Sequence, residues 1–244
     1  MGRLPAQLFR RRVLMGYRVK EIFHSLQGEG MHVGRAAVFC RFSGCNLWTG
    51  REQDRPDASC RFCDTDFTGT DGPGGGVFED AQALAFAILA AFPYPLAPLD
   101  GGGWRPYVVF TGGEPALQLT PELLDVLHAH GCQCGVETNG TLPLPAGLDW
   151  VTVSPKAGTR LAVTRGDELK LVWPQQGVSP ADFAGLDFGH FILQPRDDAG
   201  RGATGETGAD GEMGAGHVAA CVRYCLEHPR WRLGLQVHKF LGIR

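Results

Sequence analysis

Short, nearly continuous apolar runs alternate along this chain with stretches whose apolar residues recur at helical spacing. "AAVFCRF" (36–42), "PYVVFTGGEP" (106–115), "CQCGVETNG" (132–140), "LDWVTVSPK" (148–156), "DELKLVW" (167–173), "HFILQP" (190–195) and "WRLGLQVHK" (231–239) read as strands. Unbroken apolar runs of this kind suit parallel strands covered on both faces. "EDAQALAFAILAAF" (79–92), "TPELLDVLHAHG" (120–131) and "GHVAACVRYCLEHP" (216–229) read as helices. The second has Thr120 as cap, Pro121 in its first turn and Gly131 as its stop. The third places Cys221 and Cys225 one turn apart.

Strand and helix in repeated succession argue for a parallel sheet with right-handed crossovers. A closed eight-fold barrel takes ~250 residues with a helix after every strand, and this chain has too few helices for it. The expected fold is therefore α/β, an incomplete TIM-like barrel of about six parallel strands with few helices. "TDGPGGG" (70–76) is a glycine-rich approach to the first helix, and "DDAGRGATGETGADGEMGAG" (197–216) is expected to be a flexible loop. No repeat or domain boundary interrupts residues 15–244, which read as a single domain. Residues 1–14 read as an N-terminal extension, with Met15 an alternative start.

Composition narrows the partners. With 43% hydrophobic residues in 244, the chain can bury a substantial core. A net charge of −3, from 23 Lys and Arg against 26 Asp and Glu, gives no electrostatic case for nucleic acid. No apolar run reaches the ~18–20 residues of a membrane span. The opening segment has arginines but no apolar core of a signal peptide. A reducing cytoplasm is the expectation, and there clustered cysteines bind metal more often than they pair.

The chain has 8 cysteines, and Cys45, Cys60 and Cys63 form the pattern C-x14-C-x2-C. A structural zinc site wants four ligands, and Cys40 could complete one. Cys40 lies inside an apolar strand, however, where cysteine behaves as a small hydrophobe. The other reading is a 4Fe–4S cluster on three thiolates, with one iron left open to a small molecule. Further chemistry gathers where strands give way to loops: "GGEP" (112–115), "ETNG" (137–140), "SPK" (154–156) and "LQP" (193–195). In parallel α/β folds that edge is where ligands bind.

The three-cysteine loop, with Phe62 between its last two thiols, resembles that of the radical S-adenosylmethionine enzymes, although the usual spacing there is C-x3-C-x2-C. "GGEP" resembles their methionyl-binding turn. Taken together, "KEIFHSLQGEG" (20–30), "RFSGCNLW" (41–48), "CDTDF" (63–67), "FTGGEP" (110–115), "ETNG", "VSPK", "ILQP" and "QVHKFLGIR" (236–244) resemble the 7-carboxy-7-deazaguanine synthase family, within which the cluster loop is expanded in some members. The resemblance spans residues 20–244. It implies a six-stranded open barrel, a homodimer, S-adenosylmethionine, Mg²⁺, and an external electron donor of flavodoxin or ferredoxin type. The implied substrate is a pterin, 6-carboxy-5,6,7,8-tetrahydropterin, converted by a radical ring contraction to 7-carboxy-7-deazaguanine and ammonia for queuosine and related deazapurines. Another radical family, such as a glycyl-radical activase, and a non-enzymatic zinc module are the alternatives.

Residue roles follow from the resemblance. Cys45, Cys60 and Cys63 ligate the cluster. Phe62 and Asp64 approach the adenosyl group. Gly112 and Gly113 admit a ligand close to the backbone, and Glu114 accepts from the methionyl ammonium. Ser154, Lys156 and Gln194 contact the cofactor. Thr65 offers Mg²⁺ a neutral oxygen, which suits an ion that keeps waters and takes few protein ligands. Leu26, Gln27 and Gly28 face the pterin. Arg41, opposite in facing to Cys40, offers a bidentate fork to the substrate carboxylate. Thr111 and Glu137 lie at neighbouring strand ends, with Glu137 the candidate general acid/base or else a structural hydrogen-bonding group. His238, read near the end of the last strand, and Arg244, through its terminal carboxylate, complete the substrate contacts. His128 and His130 read as structural or solvated.

Overall fold

The computed structural model describes residues 16–96, 105–197 and 215–244. The 1–14 extension and residues 198–214 of the glycine-rich loop lie outside them. One sheet organises the described chain, in the order β3-β1-β2-β4-β5-β6-β7-β8-β9. Its strands are β1 (Tyr17–Leu26), β2 (Ala36–Phe42), β3 (Gly76–Phe78), β4 (Tyr107–Gly112), β5 (Gln133–Thr138), β6 (Trp150–Val153), β7 (Arg165–Trp173), β8 (Asp187–Pro195) and β9 (Trp231–Leu233). From β2 through β9 every pairing is parallel, while β1 runs antiparallel to both β2 and β3. The helices are α1 (Ala81–Ala90), α2 (Pro121–Ala129), α3 (Ala215–Glu227) and α4 (Val237–Leu241). The sheet is open, with few helices, as expected. Among the described residues its count is nine strands rather than six.

The extra strands have a physical origin. A bulge between Val19 and Glu21 shifts the register of β1 against β2. Before it Tyr17 and Val19 are buried, and after it Ile22 is, so the alternation of the sequence breaks phase. The glycine run 70–76 is not a free loop. Gly72 N–H donates to Lys20 O, and Pro73 O accepts from Ile22 N–H, laying the run against β1 and leading into β3. The closing segment 231–239 is also not one strand. β9 stops at Leu233, and Val237, Phe240 and Leu241 take up helical spacing in α4, ended by Gly242 at φ +64°. His238 therefore sits on a short helix.

Period-two alternation sorts the sheet into two faces. The outer face of β2, β4 and β5, including Val38, Cys40, Phe110 and Val136, packs against α1 and α2. Asp80 caps α1 through Ala83 N–H, and Thr120 caps α2 through Leu123 N–H. The outer face of β7 and β8, with Leu169, Leu171, Phe191 and Leu193, packs with Cys221 of α3. The inner face is where the polar residues go: Arg41, Thr111, Glu137, Lys170 and Gln194 alternate with those core positions. Gly135 sits on that face because a Cβ there would run into the Tyr107 hydroxyl.

The inner face is concave. Neighbouring strands are ~4.8 Å apart, so β7 lies five strand spacings, ~24 Å, from β1 along a flat sheet. Yet Glu29, in the β1–β2 turn, is 2.6 Å from Lys170 of β7. Met31 N–H, from the same turn, also donates to Glu168 at 2.8 Å. The sheet curls until one end of the β1–β2 hairpin touches β7, enclosing a cavity at the C-terminal ends of the parallel strands.

Candidate active site

The cavity has two confluent lobes of about 200 and 380 Å³. The first lobe runs along the cysteine loop. Cys45, Cys60, Phe62, Cys63 and Asp64 line it on one side, with Gly112, Gly113, Ser154, Lys156 and Gln194 opposite. The second lobe is lined by Leu26, Gln27, Gly28, Arg41, His238 and Arg244. Thr65, Thr111, Glu137, Glu29, Asp64, Lys170 and Gln236 line both.

In the first lobe the thiols of Cys60 and Cys63 share a hydrogen bond, which raises the former and lowers the latter. Trp48 and Phe67 meet edge to face, and Cys45 and Cys63 pack on them. Leu47 N–H donates to Cys45 Sγ at 3.4 Å. Among the described residues, the potential ligand atoms found mutually within 4.8 Å are those of His128, Cys134 and Asp149. That set leaves out the three loop thiols. Cys40 does not join them. It is fully buried in the core under α1 and α2, on the opposite face of β2 from Arg41, and burial pushes its thiol up. This removes the four-thiolate zinc site.

The rest of the first lobe fits a polar ligand. Gln194 Oε1 is buried with no hydrogen-bond partner. Lys156 Nζ donates to the Ser154 carbonyl and hydroxyl, both at 2.7 Å, and lies 5.9 Å from the Phe62 ring centre. Burial lowers Lys156, against the raising pull of the nearby cysteines. Gly113 has no room for a side chain, because Gly44 O and Cys45 occupy the space. The "GGEP" turn thus packs directly on the cysteine loop.

Glu114 is not on the lining. Its carboxylate is fully buried and accepts from Ala116 N–H, Thr138 Oγ1 and Asn139 N–H, at 2.9, 2.7 and 2.8 Å. Burial raises it despite these bonds. Its role here is to tie the end of β4 to the end of β5. Asn139 then reaches Asn46 of the cysteine loop at 2.9 Å.

In the second lobe Glu21 bridges two cations. Its Oε1 is 2.8 Å from Arg41 Nε and its Oε2 is 2.8 Å from Arg244. Ser25 Oγ donates to the backbone oxygen of Arg244 at 2.7 Å, fixing the C-terminus at this lobe. Val237 N–H donates to Gly28 O at 2.9 Å, and the His238 ring fills the place a Gly28 side chain would take. Lys239 bridges Asp64 and Asp197, both at 2.8 Å, and so joins α4 to the cysteine loop.

The wall between the lobes holds charges that sequence reading missed. Lys170, 5% exposed, lies 2.6 Å from Glu29 and 2.8 Å from Glu137. Gln236 donates to Glu29 at 2.9 Å and Gln27 to Glu137 at 3.3 Å. Burial alone would raise Glu29, but Lys170 and the Gln236 hydrogen bond hold it at about 2. Burial and the neighbouring carboxylates Glu168 and Glu29 instead push Glu137 up to about 7, with Lys170 opposing. Burial lowers Lys170 less than its carboxylate neighbours raise it, so it stays charged. The signal was present: Glu168 and Lys170 are i, i+2 charges in "DELKLVW", on one face of an otherwise apolar strand.

No protein-family model matches the chain. The 7-carboxy-7-deazaguanine synthase of Nitratidesulfovibrio vulgaris is 69% identical over 232 residues, covering 94% of this chain and 100% of that one. The protein of the same name from Bordetella pertussis is 56% identical over 229 residues, with 94% and 100% covered. Among solved structures, QueE from Escherichia coli superimposes with a TM-score of 0.62 at 25% identity, over 92% of this chain and 95% of that chain.

Proposed function

This chain belongs to the 7-carboxy-7-deazaguanine synthase family, and from that premise we propose how its two lobes divide the work of a carbon–nitrogen lyase. The reaction converts 6-carboxy-5,6,7,8-tetrahydropterin to 7-carboxy-7-deazaguanine and ammonia. The observation that carries the division is the shared wall: Thr65, Thr111, Glu137 and Lys170 face both a lobe of three thiols and a lobe with Arg41 and the C-terminus.

Cys45, Cys60 and Cys63 are the residues to hold a 4Fe–4S cluster, and Phe62, Asp64, Gly113, Ser154, Lys156 and Gln194 those to hold S-adenosylmethionine. When bound, these groups supply the electron and the hydrogen-abstracting radical that ring contraction requires. The chain's own residues position the pterin and handle its protons. Gln27 and the Gly28 backbone face its heteroatoms, with Leu26 and His238 beside them. Arg41, held by Glu21, presents its guanidinium to the substrate carboxylate. Arg244 brings the chain terminus to the same lobe. Thr65, on the wall shared by both lobes, would offer Mg²⁺ a neutral oxygen. Glu137 takes and returns a proton at its carboxylate, oriented by Lys170 and Gln27. Glu29 stays ionised and keeps Lys170 charged. Glu114 acts from behind the wall, by fixing the "GGEP" turn.

No helix among the described residues is long and apolar enough to cross a membrane. A cytoplasmic location, a homodimer and a flavodoxin- or ferredoxin-type electron donor accompany the family reading.

Arg41→Gln tests the division. Loss of a charge-assisted hydrogen bond of about 1.5–3 kcal/mol predicts a KM for the carboxypterin at least ~10-fold higher. Binding of S-adenosylmethionine, measured by anaerobic calorimetry, should not change. An equal loss of both would defeat the assignment of Arg41 to substrate.

A further inference from the structure

The fourteen residues between Cys45 and Cys60 are a closed excursion. Leu47 O accepts from Ser59 N–H at 3.1 Å. Through that bond only Asn46, Leu47 and Ser59 separate Cys45 from Cys60, the three-residue gap of the common spacing. The excursion also returns a side chain to the cysteine turn. Arg55 stacks 4.0 Å over the Trp48 ring and is clamped by Glu52 through Nε and Nη2. Its remaining edge faces the turn: Nη1 donates to the carbonyls of Arg61 and Cys63 at 2.9 and 3.0 Å.

A C-x2-C turn has few ways to fix its own direction, because both thiols are meant for a ligand. Here one planar cation grips the carbonyls on either side of Phe62. Trp48 is itself 7% exposed and packed on Phe67, so the grip is anchored to the small core beneath Cys45 and Cys63. The guanidinium also sets a fixed positive charge beside thiolates that would carry negative charge.

We infer that Arg55 is a positioning residue for the cluster: braced by Glu52 and Trp48, it fixes the turn that carries Cys60 and Cys63. The inference rests on the reading of Cys45, Cys60 and Cys63 as cluster ligands. It makes the long insert the support of the ligand turn rather than a decoration of the common loop.

The test compares wild type with Arg55→Gln, Arg55→Lys and Glu52→Gln, each reconstituted anaerobically with iron and sulfide. The readouts are iron and sulfide per chain, iron release to a chelator, and the electron paramagnetic resonance of the reduced protein with and without S-adenosylmethionine. Arg55→Gln, with its circular dichroism unchanged, should release iron at least ~10-fold faster and give an altered spectrum on adding S-adenosylmethionine. Arg55→Lys should fall between, since an ammonium lacks the planar, stacking fork. Should Arg55→Gln not fold, Glu52→Gln keeps Arg55 but loosens its clamp, and a several-fold faster release is expected from it. Wild-type release and spectra in the folded variants overturn the inference while leaving the cluster intact. A wild type that takes up no iron overturns the cluster reading and this inference with it.

Discussion

Replacing Lys170 by methionine keeps most of the side chain's length and removes its charge. In the native protein its ammonium lies 2.6 Å from Glu29 and 2.8 Å from Glu137, almost wholly out of water. Removing one partner of a buried ion pair costs about 3–5 kcal/mol, because a charge is stranded. Two carboxylates lose their partner here, but Glu137, already raised to about 7, needs only a small further rise to escape by taking a proton. A loss of about 3–5 kcal/mol near pH 8 is therefore expected.

The pH dependence separates this cause from simple loss of packing. Glu29 sits at about 2 in the folded protein against an ordinary 4.5. It contributes stability above ~pH 4.5 that is lost as pH falls toward 2, worth about 3 kcal/mol at 1.36 kcal/mol per pH unit. Glu137 has the opposite sign. Raised to about 7, it costs stability as pH rises from 4.5 through 7. Without Lys170 both carboxyls are raised by burial, so the folded variant binds protons that the unfolded chain does not. The deficit of Lys170→Met should then shrink between about pH 8 and pH 5.5. Urea midpoints of anaerobic wild type and variant at both pH values measure it. Adding Glu29→Gln to the variant should recover about 1–2 kcal/mol, since the stranded charge is gone. A loss below ~1 kcal/mol, or one that is equal at both pH values, refutes the network as described.

The same reasoning gives three further expectations. As general base, Glu137 must be ionised, so kcat/KM should rise with pH through about 7. Glu137→Gln should abolish that limb and lower kcat by about 10²–10⁴-fold, and an unchanged pH profile would assign the limb elsewhere. Cys40→Ala should keep full iron and sulfide while costing about 1 kcal/mol of core packing, whereas Cys60→Ala should lose the cluster. Iron loss from both alike would return Cys40 to the ligand set. Gly135→Ala drives a methyl into the Tyr107 hydroxyl and should lower stability by about 1–3 kcal/mol in thermal melts, with an unchanged melting temperature contradicting the packing described.

Much of the site was legible because strand alternation and loop position are local. Arg41 and Cys40 are neighbours, so one had to face the cavity and the other the core. The rim motifs lie at strand ends, and the topology brings parallel strand ends together. What was not legible depends on curvature. Glu29 and Lys170 are 141 residues apart in sequence and five strands apart in the sheet, and only its curl makes them partners. β1 was hidden by its bulge, and α4 because "QVHK" alternates like a strand until Phe240 and Gly242 show otherwise. Glu114 carries a motif residue's expected role, yet its oxygens are taken by Thr138, Asn139 and Ala116, which no spacing could reveal.

The central claim is that the two lobes hold a radical cofactor and a carboxypterin side by side. Its most direct test is anaerobic turnover: reconstitute with iron and sulfide, reduce, add S-adenosylmethionine with and without 6-carboxy-5,6,7,8-tetrahydropterin, and follow 5′-deoxyadenosine and product by mass spectrometry. Formation of 7-carboxy-7-deazaguanine, with deoxyadenosine stimulated by the pterin, is the result expected. Cofactor cleavage without that product, or a protein that holds zinc and cleaves nothing, would contradict it.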